Sequence, residues 1–200
     1  MSAPATPVST DRSDFRTVMI GGTKLGLAIG TAVVAFLVVS RMVPVGLMRD
    51  ATQTLVVLAA GCAAAFLPAR WVEPRSVEGV AGAAALGLWG AVVFSAFDII
   101  LLRPFDAYPW TWDAIGGYST WWYLPLWWML GTVLAWMGAL AAEPMEEASL
   151  TRLALPGVVG AAVLGVVGAR VLGVALPVAT GGGFAVTLTV RAMFALARGR

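Results

Sequence analysis

Histidine is absent from this chain of 200 residues, and cysteine occurs only once, as Cys62. Without an imidazole, the chain has no histidine ligand for haem or zinc and no histidine base for a serine nucleophile. A disulfide bond within the chain is impossible, and Cys62 is expected to be a small packing residue. Paired-aspartate proteolysis needs two facing acids, and only Asp98 lies inside an apolar run. We therefore expect no catalytic residue, no cofactor-binding residue and no metal ligand.

Charged residues are also scarce, at 12% of the chain, against about 25% in soluble domains. The net charge of +2 is small and spread along the chain, so nucleic acid is not an expected partner. Hydrophobic residues instead make up 60%, in runs long enough to cross a bilayer. The runs are continuous rather than alternating, which favours membrane helices over a β-barrel. We predict one all-α, polytopic membrane bundle over residues 17–200, after a polar tail at 1–16.

Six spans are predicted from these runs and from the residues that interrupt them. Pro44 and Pro68 follow the first two spans, and Arg103 with Pro104 follows the third. The glycine-rich residues 180–183 are interpreted as a turn before a short sixth span. The predicted spans are 17–43, 51–67, 77–102, 124–142, 150–178 and 184–197.

Lysine and arginine near the span ends predict the orientation, because cytoplasmic loops carry an excess of them. We expect both termini in the cytoplasm, in a multi-pass protein of a bacterial-type inner membrane. The segment between the third and fourth spans then faces the periplasm. In this orientation the cytoplasmic side collects Arg12, Arg16, Lys24, Arg70, Arg75, Arg152, Arg198 and Arg200, and the opposite side collects Arg41, Arg49 and Arg103.

The segment 108–128, before and within the fourth span, holds all three tyrosines and six of the nine tryptophans. Such side chains combine an apolar ring with a polar group and settle at membrane–water boundaries. The segment is interpreted as an interfacial belt and a docking surface, with stacking on a sugar, quinone or carotenoid as the alternative. The predicted interface residues are Tyr108, Trp110, Trp112, Tyr118, Trp121, Trp122, Tyr123, Trp127 and Trp128.

Small residues recur every four positions in the first and fifth spans. Such stripes let two helix backbones approach closely, which is how helices pack where lipid offers no hydrophobic drive. Packing inside this chain and docking against a neighbouring subunit are both open. The predicted packing residues are Gly22, Gly26, Gly30, Gly157, Ala161, Gly165, Ala169 and Gly173.

Asp98 and Arg170 are charged residues at similar depth near the ends of the third and fifth spans. An unpaired charge there would cost at least about 2.5 kcal/mol, so a partner is expected. We predict an Asp98–Arg170 ion pair, with a proton or ion relay through these two residues as the functional alternative.

The abundance of packing and docking features, set against few reactive groups, predicts a non-catalytic accessory subunit. It would stabilise a larger integral-membrane complex, photosynthetic or respiratory, through its glycine-striped helices and aromatic periplasmic surface. The expected partners are other integral membrane subunits and the lipid bilayer. No cofactor of its own is expected, and contacts with lipid, quinone or carotenoid are left open. The alternative is a small-solute or ion transporter or channel that uses Asp98 and Arg170.

Overall fold

The computed structural model describes residues 12–74, 76–105, 107, 123–142 and 149–198. Within these ranges every regular element is helical, and six helices are long and apolar enough to cross a membrane, as predicted. The third helix continues into a π-helical turn at Asp98–Leu102. The helices are α1 (Phe15–Met42), α2 (Leu47–Val72), α3 (Val77–Phe97), α4 (Tyr123–Ala141), α5 (Leu150–Leu172) and α6 (Leu176–Ala197).

The second helix runs five residues past the end predicted from its proline, from 67 to Val72. Pro68 lies inside α2 and is buried. Prolines are tolerated in membrane helices because neighbouring helices accommodate the backbone groups they free. The helix ends instead at Glu73, whose backbone is left-handed with a φ of 54°.

The predicted turn at 180–183 is wrong, because these residues lie within α6. The break comes earlier, at Gly173, whose φ of 65° makes it the left-handed C-cap of α5. Gly183 stays helical because it packs against α5, where an added Cβ would lie 2.9 Å from Leu164 Cβ. The sixth helix therefore has 22 residues, which is about 33 Å at 1.5 Å per residue and enough to cross a bilayer.

The chain brings the start of α1, the end of α2 and the start of α3 together, and we call this the Glu73 end. The backbone N–H of Arg12 donates to the carbonyl oxygen of Val72 at 2.9 Å. Asp14 caps α1, and hydrogen bonds from the Thr17 hydroxyl and then its backbone N–H lower the pKa of Asp14. The capping carboxylate therefore stays charged to a lower pH than usual.

The opposite end, which we call the Asp98 end, is tied by two hydrogen bonds between segments. The side-chain amide of Gln53 on α2 donates to the Ser40 hydroxyl on α1 at 2.6 Å. The guanidinium of Arg41 donates to the carbonyl oxygen of Ala107, beyond α3, at 3.0 Å. These bonds link α1 both to α2 and to the segment that follows α3.

Five helices pack in succession around the bundle, in the order α1, α3, α4, α6 and α2, and α5 packs mainly against α6. The second helix also crosses to α3 and α4, and its half near the Glu73 end is buried, with Phe66 only 1% exposed. The carbonyl oxygen of Ala65 occupies the place a side chain would take at Gly138 of α4. The bundle is therefore filled by α2 at the Glu73 end.

The glycine stripe of α1 lies against α3. A Cβ at Gly22 would lie 2.7 Å from Trp89 Cδ1, and one at Gly26 would lie 2.5 Å from the carbonyl oxygen of Gly90. A Cβ at Gly30 would contact the Phe97 ring at 3.0 Å. Within this chain, these three glycines of α1 therefore face α3.

The stripe of α5 lies against α6 through three of its five positions. Gly165 faces Thr180, an added Cβ at Gly157 would lie 3.3 Å from the Phe184 ring, and Ala161 is fully buried. Ala169 is half-buried. At Gly173 nothing lies within 4 Å of an added Cβ, so this glycine ends the helix rather than packing it.

Candidate functional site: an apolar cavity in the bundle

An apolar cavity of about 540 Å³ lies between the five packed helices, in the half of the bundle toward the Asp98 end. This volume is within the roughly 300–1,000 Å³ of ligand pockets. The wall is hydrophobic throughout, with aromatic rings from α1, α3, α4 and α6. The main lining residues are Leu25, Ile29, Val33 and Phe36 of α1; Val57, Ala60, Gly61 and Ala64 of α2; Gly87, Gly90, Ala91 and Phe94 of α3; Trp127, Leu130, Gly131 and Leu134 of α4; and Pro177, Val178, Gly181, Gly182, Phe184 and Ala185 of α6.

Two features of the glycines explain the cavity. Where two helices cross, glycines let the backbones touch, and at another lining position a glycine leaves space that no neighbouring side chain fills. Gly87 of α3 meets Gly131 of α4, and an added Cβ at Gly87 would lie 2.5 Å from the Gly131 carbonyl oxygen. At Gly182 nothing lies within 4 Å of an added Cβ. An apolar space that holds nothing forfeits the dispersion contacts of the atoms that line it. We expect apolar matter to occupy it.

Polar side chains continue the cavity-facing rows toward the Asp98 end. Ser40 follows Phe36 by four residues, Gln53 precedes Val57 by four, and both therefore share a helix face with the cavity wall. The Thr54 hydroxyl oxygen is buried, and among the described residues none forms a hydrogen bond with it. The apolar cavity thus has hydrogen-bonding groups at one end.

Asp98, in the π-helical turn after α3, follows the lining residue Phe94 by four residues and likewise continues a cavity-facing row. It is only 2% exposed. Its carboxylate accepts a hydrogen bond from Arg103 Nε at 3.2 Å, one π-helical turn along the same chain. The predicted Asp98–Arg170 pair is therefore corrected: the ionic partner in the described structure is Arg103. Arg170 is exposed in the last turn of α5, a helix that packs mainly against α6 rather than α3.

Two tryptophans of the predicted aromatic surface lie at the cavity or beside it. The ring of Trp127 packs edge-on against Phe94, with centroids 5.7 Å apart. The Trp128 indole N–H donates to the Ser95 hydroxyl at 3.2 Å, and Trp89 similarly donates to Thr23 at 3.1 Å. The indole N–H groups of Trp128 and Trp89 thus each have the hydrogen-bond partner that such a group requires inside a helix bundle.

Most of the other residues of the predicted aromatic surface lie outside the described residues. Tyr123 is the first residue of α4. The residues Tyr108, Trp110, Trp112, Tyr118, Trp121 and Trp122 lie outside the described residues, as does most of the polar tail at 1–16.

The cavity is open to the surface of the bundle, and the lining residues that are exposed belong to α4 and α6. Three lining residues are exposed there: Leu130 at 41%, Val178 at 64%, and Gly182. By contrast Leu25 and Phe184, deeper in the wall, are each 3% exposed. The opening is apolar and lies within helices long enough to span a bilayer, so it faces hydrocarbon rather than water.

The sequence patterns singled out α1 and α5 and missed the glycines of α3 and α4 that shape this cavity. Gly87 and Gly90 of α3 lie three residues apart, a spacing that places both on one face of that helix and could have indicated it. Within the described ranges no group of three metal-ligating side chains comes together.

Fold and cavity together define a multi-pass helical membrane protein with an apolar cavity between its helices. The chain matches no protein-family model, and comparisons with curated proteins and with solved structures also return no match.

Proposed function

We propose that this chain is a non-catalytic subunit that stabilises a larger integral-membrane complex. The observation that carries the proposal is the pairing of Asp98 with Arg103 on the same chain, beside an interior lined by apolar side chains. A relay needs titratable groups that succeed one another along a path. Here the buried acid is held by its neighbour, and Arg170, the second residue of the predicted relay, is exposed on a different helix.

The fifth helix offers the surface through which a partner would dock. It packs mainly on α6, and only 17% of its apolar membrane-spanning part is buried, the smallest share of the six helices. Its remaining faces carry exposed valines together with Arg170 in the last turn. Branched apolar side chains suit van der Waals packing against a transmembrane helix, which drives association in lipid.

The type of membrane, the orientation of the chain in it and the class of host complex are part of the same proposal. The lysine and arginine distribution supports a bacterial-type inner membrane, with the Glu73 end and both termini in the cytoplasm. The aromatic segment before α4 would then meet the periplasmic side of partner subunits. A photosynthetic or respiratory host is proposed as the class of complex, and its subunits would supply whatever redox groups it needs.

The test is purification of the tagged chain from its native membrane in mild detergent, followed by native mass spectrometry. We expect foreign subunits in fixed stoichiometry. Val163→Trp, on the exposed face of α5, should release them by steric clash, whereas Leu27→Trp, on the exposed face of α1, should retain them. Recovery of the wild-type chain alone or as a homo-oligomer would favour the transporter alternative and reject this proposal.

A further inference from the structure

We propose that the cavity is a binding site for the single hydrocarbon chain of a membrane molecule that carries a small, uncharged, hydrogen-bonding head group. Prenyl quinones and isoprenoid alcohols share this chemistry. The inference does not depend on the proposed role in a complex, because it is argued from the cavity alone.

The wall selects for hydrocarbon. Lining side chains such as Leu25, Phe36, Phe94 and Leu134 offer carbon atoms and aromatic ring faces. Apolar cavities stay dry because water needs two to four polar partners, and among the lining side chains only the Trp127 indole carries a polar group. A flexible chain fits such a space because it fills the volume by dispersion contacts without leaving a polar group unpaired.

The opening admits a chain from the side. Leu130, Val178 and Gly182 are both lining residues and surface residues, and they belong to the neighbouring helices α4 and α6. A molecule dissolved in the hydrocarbon could pass between them without crossing an aqueous phase. Gly182 leaves this passage open, since an added Cβ there would have no neighbour within 4 Å.

The Asp98 end selects the head group. The Ser40 and Gln53 side chains continue the cavity-facing rows, and the buried Thr54 hydroxyl oxygen has no hydrogen-bond partner among the described residues. A buried hydroxyl without a partner is costly, so a ligand that supplies one is favoured. The nearby Asp98 and Arg103 form an ion pair, so these two residues together add no net charge that would attract a charged head group such as a phosphate ester.

The test uses the full chain in phosphatidylcholine nanodiscs with a farnesol analogue carrying a photoreactive diazirine on its chain. After illumination, mass spectrometry maps the labelled residues. We expect adducts on cavity residues such as Leu130 and Val178, and suppression of these adducts by excess unlabelled decylubiquinone or farnesol. Stronger suppression by decylubiquinone identifies a quinone as the source, and stronger suppression by farnesol identifies an isoprenoid alcohol.

Gly182→Phe should close the passage and lower cavity labelling about tenfold or more, because the chain loses the burial of several methylene groups. The matched control is Val190→Phe, an exposed position of the same helix outside the lining, which should leave labelling unchanged. Equal labelling in Gly182→Phe would overturn the proposal. So would wild-type labelling that neither competitor displaces, a result that stands even if Gly182→Phe fails to fold.

Discussion

At the residue scale, the chemistry near the Asp98 end depends on one short-range pair. Asp98 is almost fully buried, yet its guanidinium partner comes from the π-helical turn that Asp98 itself begins. Such turns insert one residue into the helical repeat and often occur at functional positions. Here the turn brings Arg103 back onto the carboxylate, so the charge is neutralised without a second helix.

Replacing Asp98 with Asn should destabilise the protein by about 2 kcal/mol, since the partly buried Arg103 would lose the carboxylate that accepts its Nε–H hydrogen bond. The cost is below that of a fully buried pair because a quarter of the Arg103 side chain, 26%, is exposed. Unfolding in mixed detergent micelles measures the change. The neutral double variant Asp98→Asn with Arg103→Gln should recover part of the loss, and an unchanged midpoint for Asp98→Asn would contradict this account.

At the element scale, backbone contact at glycines determines how the helices cross. Gly22 and Gly26 let α3 approach α1 closely. Gly138 does the same for α2 against α4, and Gly165 for α6 against α5. The same residue type serves a different purpose at Gly182, where the missing side chain leaves open space. Helical spacing alone does not distinguish these cases, because it reports the face of a helix but not what lies opposite.

Substitution by alanine should lower the stability of the protein at Gly26 and raise it at Gly182. At Gly26 an added Cβ would meet the Gly90 carbonyl oxygen at 2.5 Å and Val93 Cβ at 2.7 Å, and this clash should cost about 1–3 kcal/mol. At Gly182 the added methyl group meets nothing, so the higher helix propensity of alanine should stabilise by about 0.5–1 kcal/mol. Thermal or detergent unfolding compares the two variants, and equal effects would contradict the assignment of these positions.

At the scale of the whole molecule, the two ends of the bundle define two sides of a membrane. Helices α1, α2 and α3 meet at the Glu73 end, and the hydrogen bonds of Arg41 and Gln53 tie the Asp98 end. Most residues that line the cavity lie in the half toward the Asp98 end, because α2 fills the Glu73 end with Ala65, Phe66 and Ala69. Any bound chain would therefore occupy the leaflet nearer the Asp98 end.

Cysteine accessibility tests this two-sided arrangement. In a Cys62→Ala background, Val45→Cys lies at the Asp98 end in the α1–α2 connection, and Thr151→Cys lies near the Glu73 end at the start of α5. In intact cells a membrane-impermeant maleimide should label Val45→Cys only, and opening the membrane should make Thr151→Cys reactive. Labelling of both in intact cells would refute the arrangement, and the reverse pattern would refute the orientation predicted from lysine and arginine.

The apolar runs alone were sufficient to predict six membrane helices, because the bilayer imposes a minimum length and every backbone group must bond within its helix. The four-residue glycine spacing of α1 indicated one face of that helix but not what lies opposite it. Tertiary packing decided the rest. It kept Pro68 and residues 180–183 helical by burying them, it paired Asp98 with the nearer arginine, and it left space at Gly182, since each outcome depends on which atoms stand opposite.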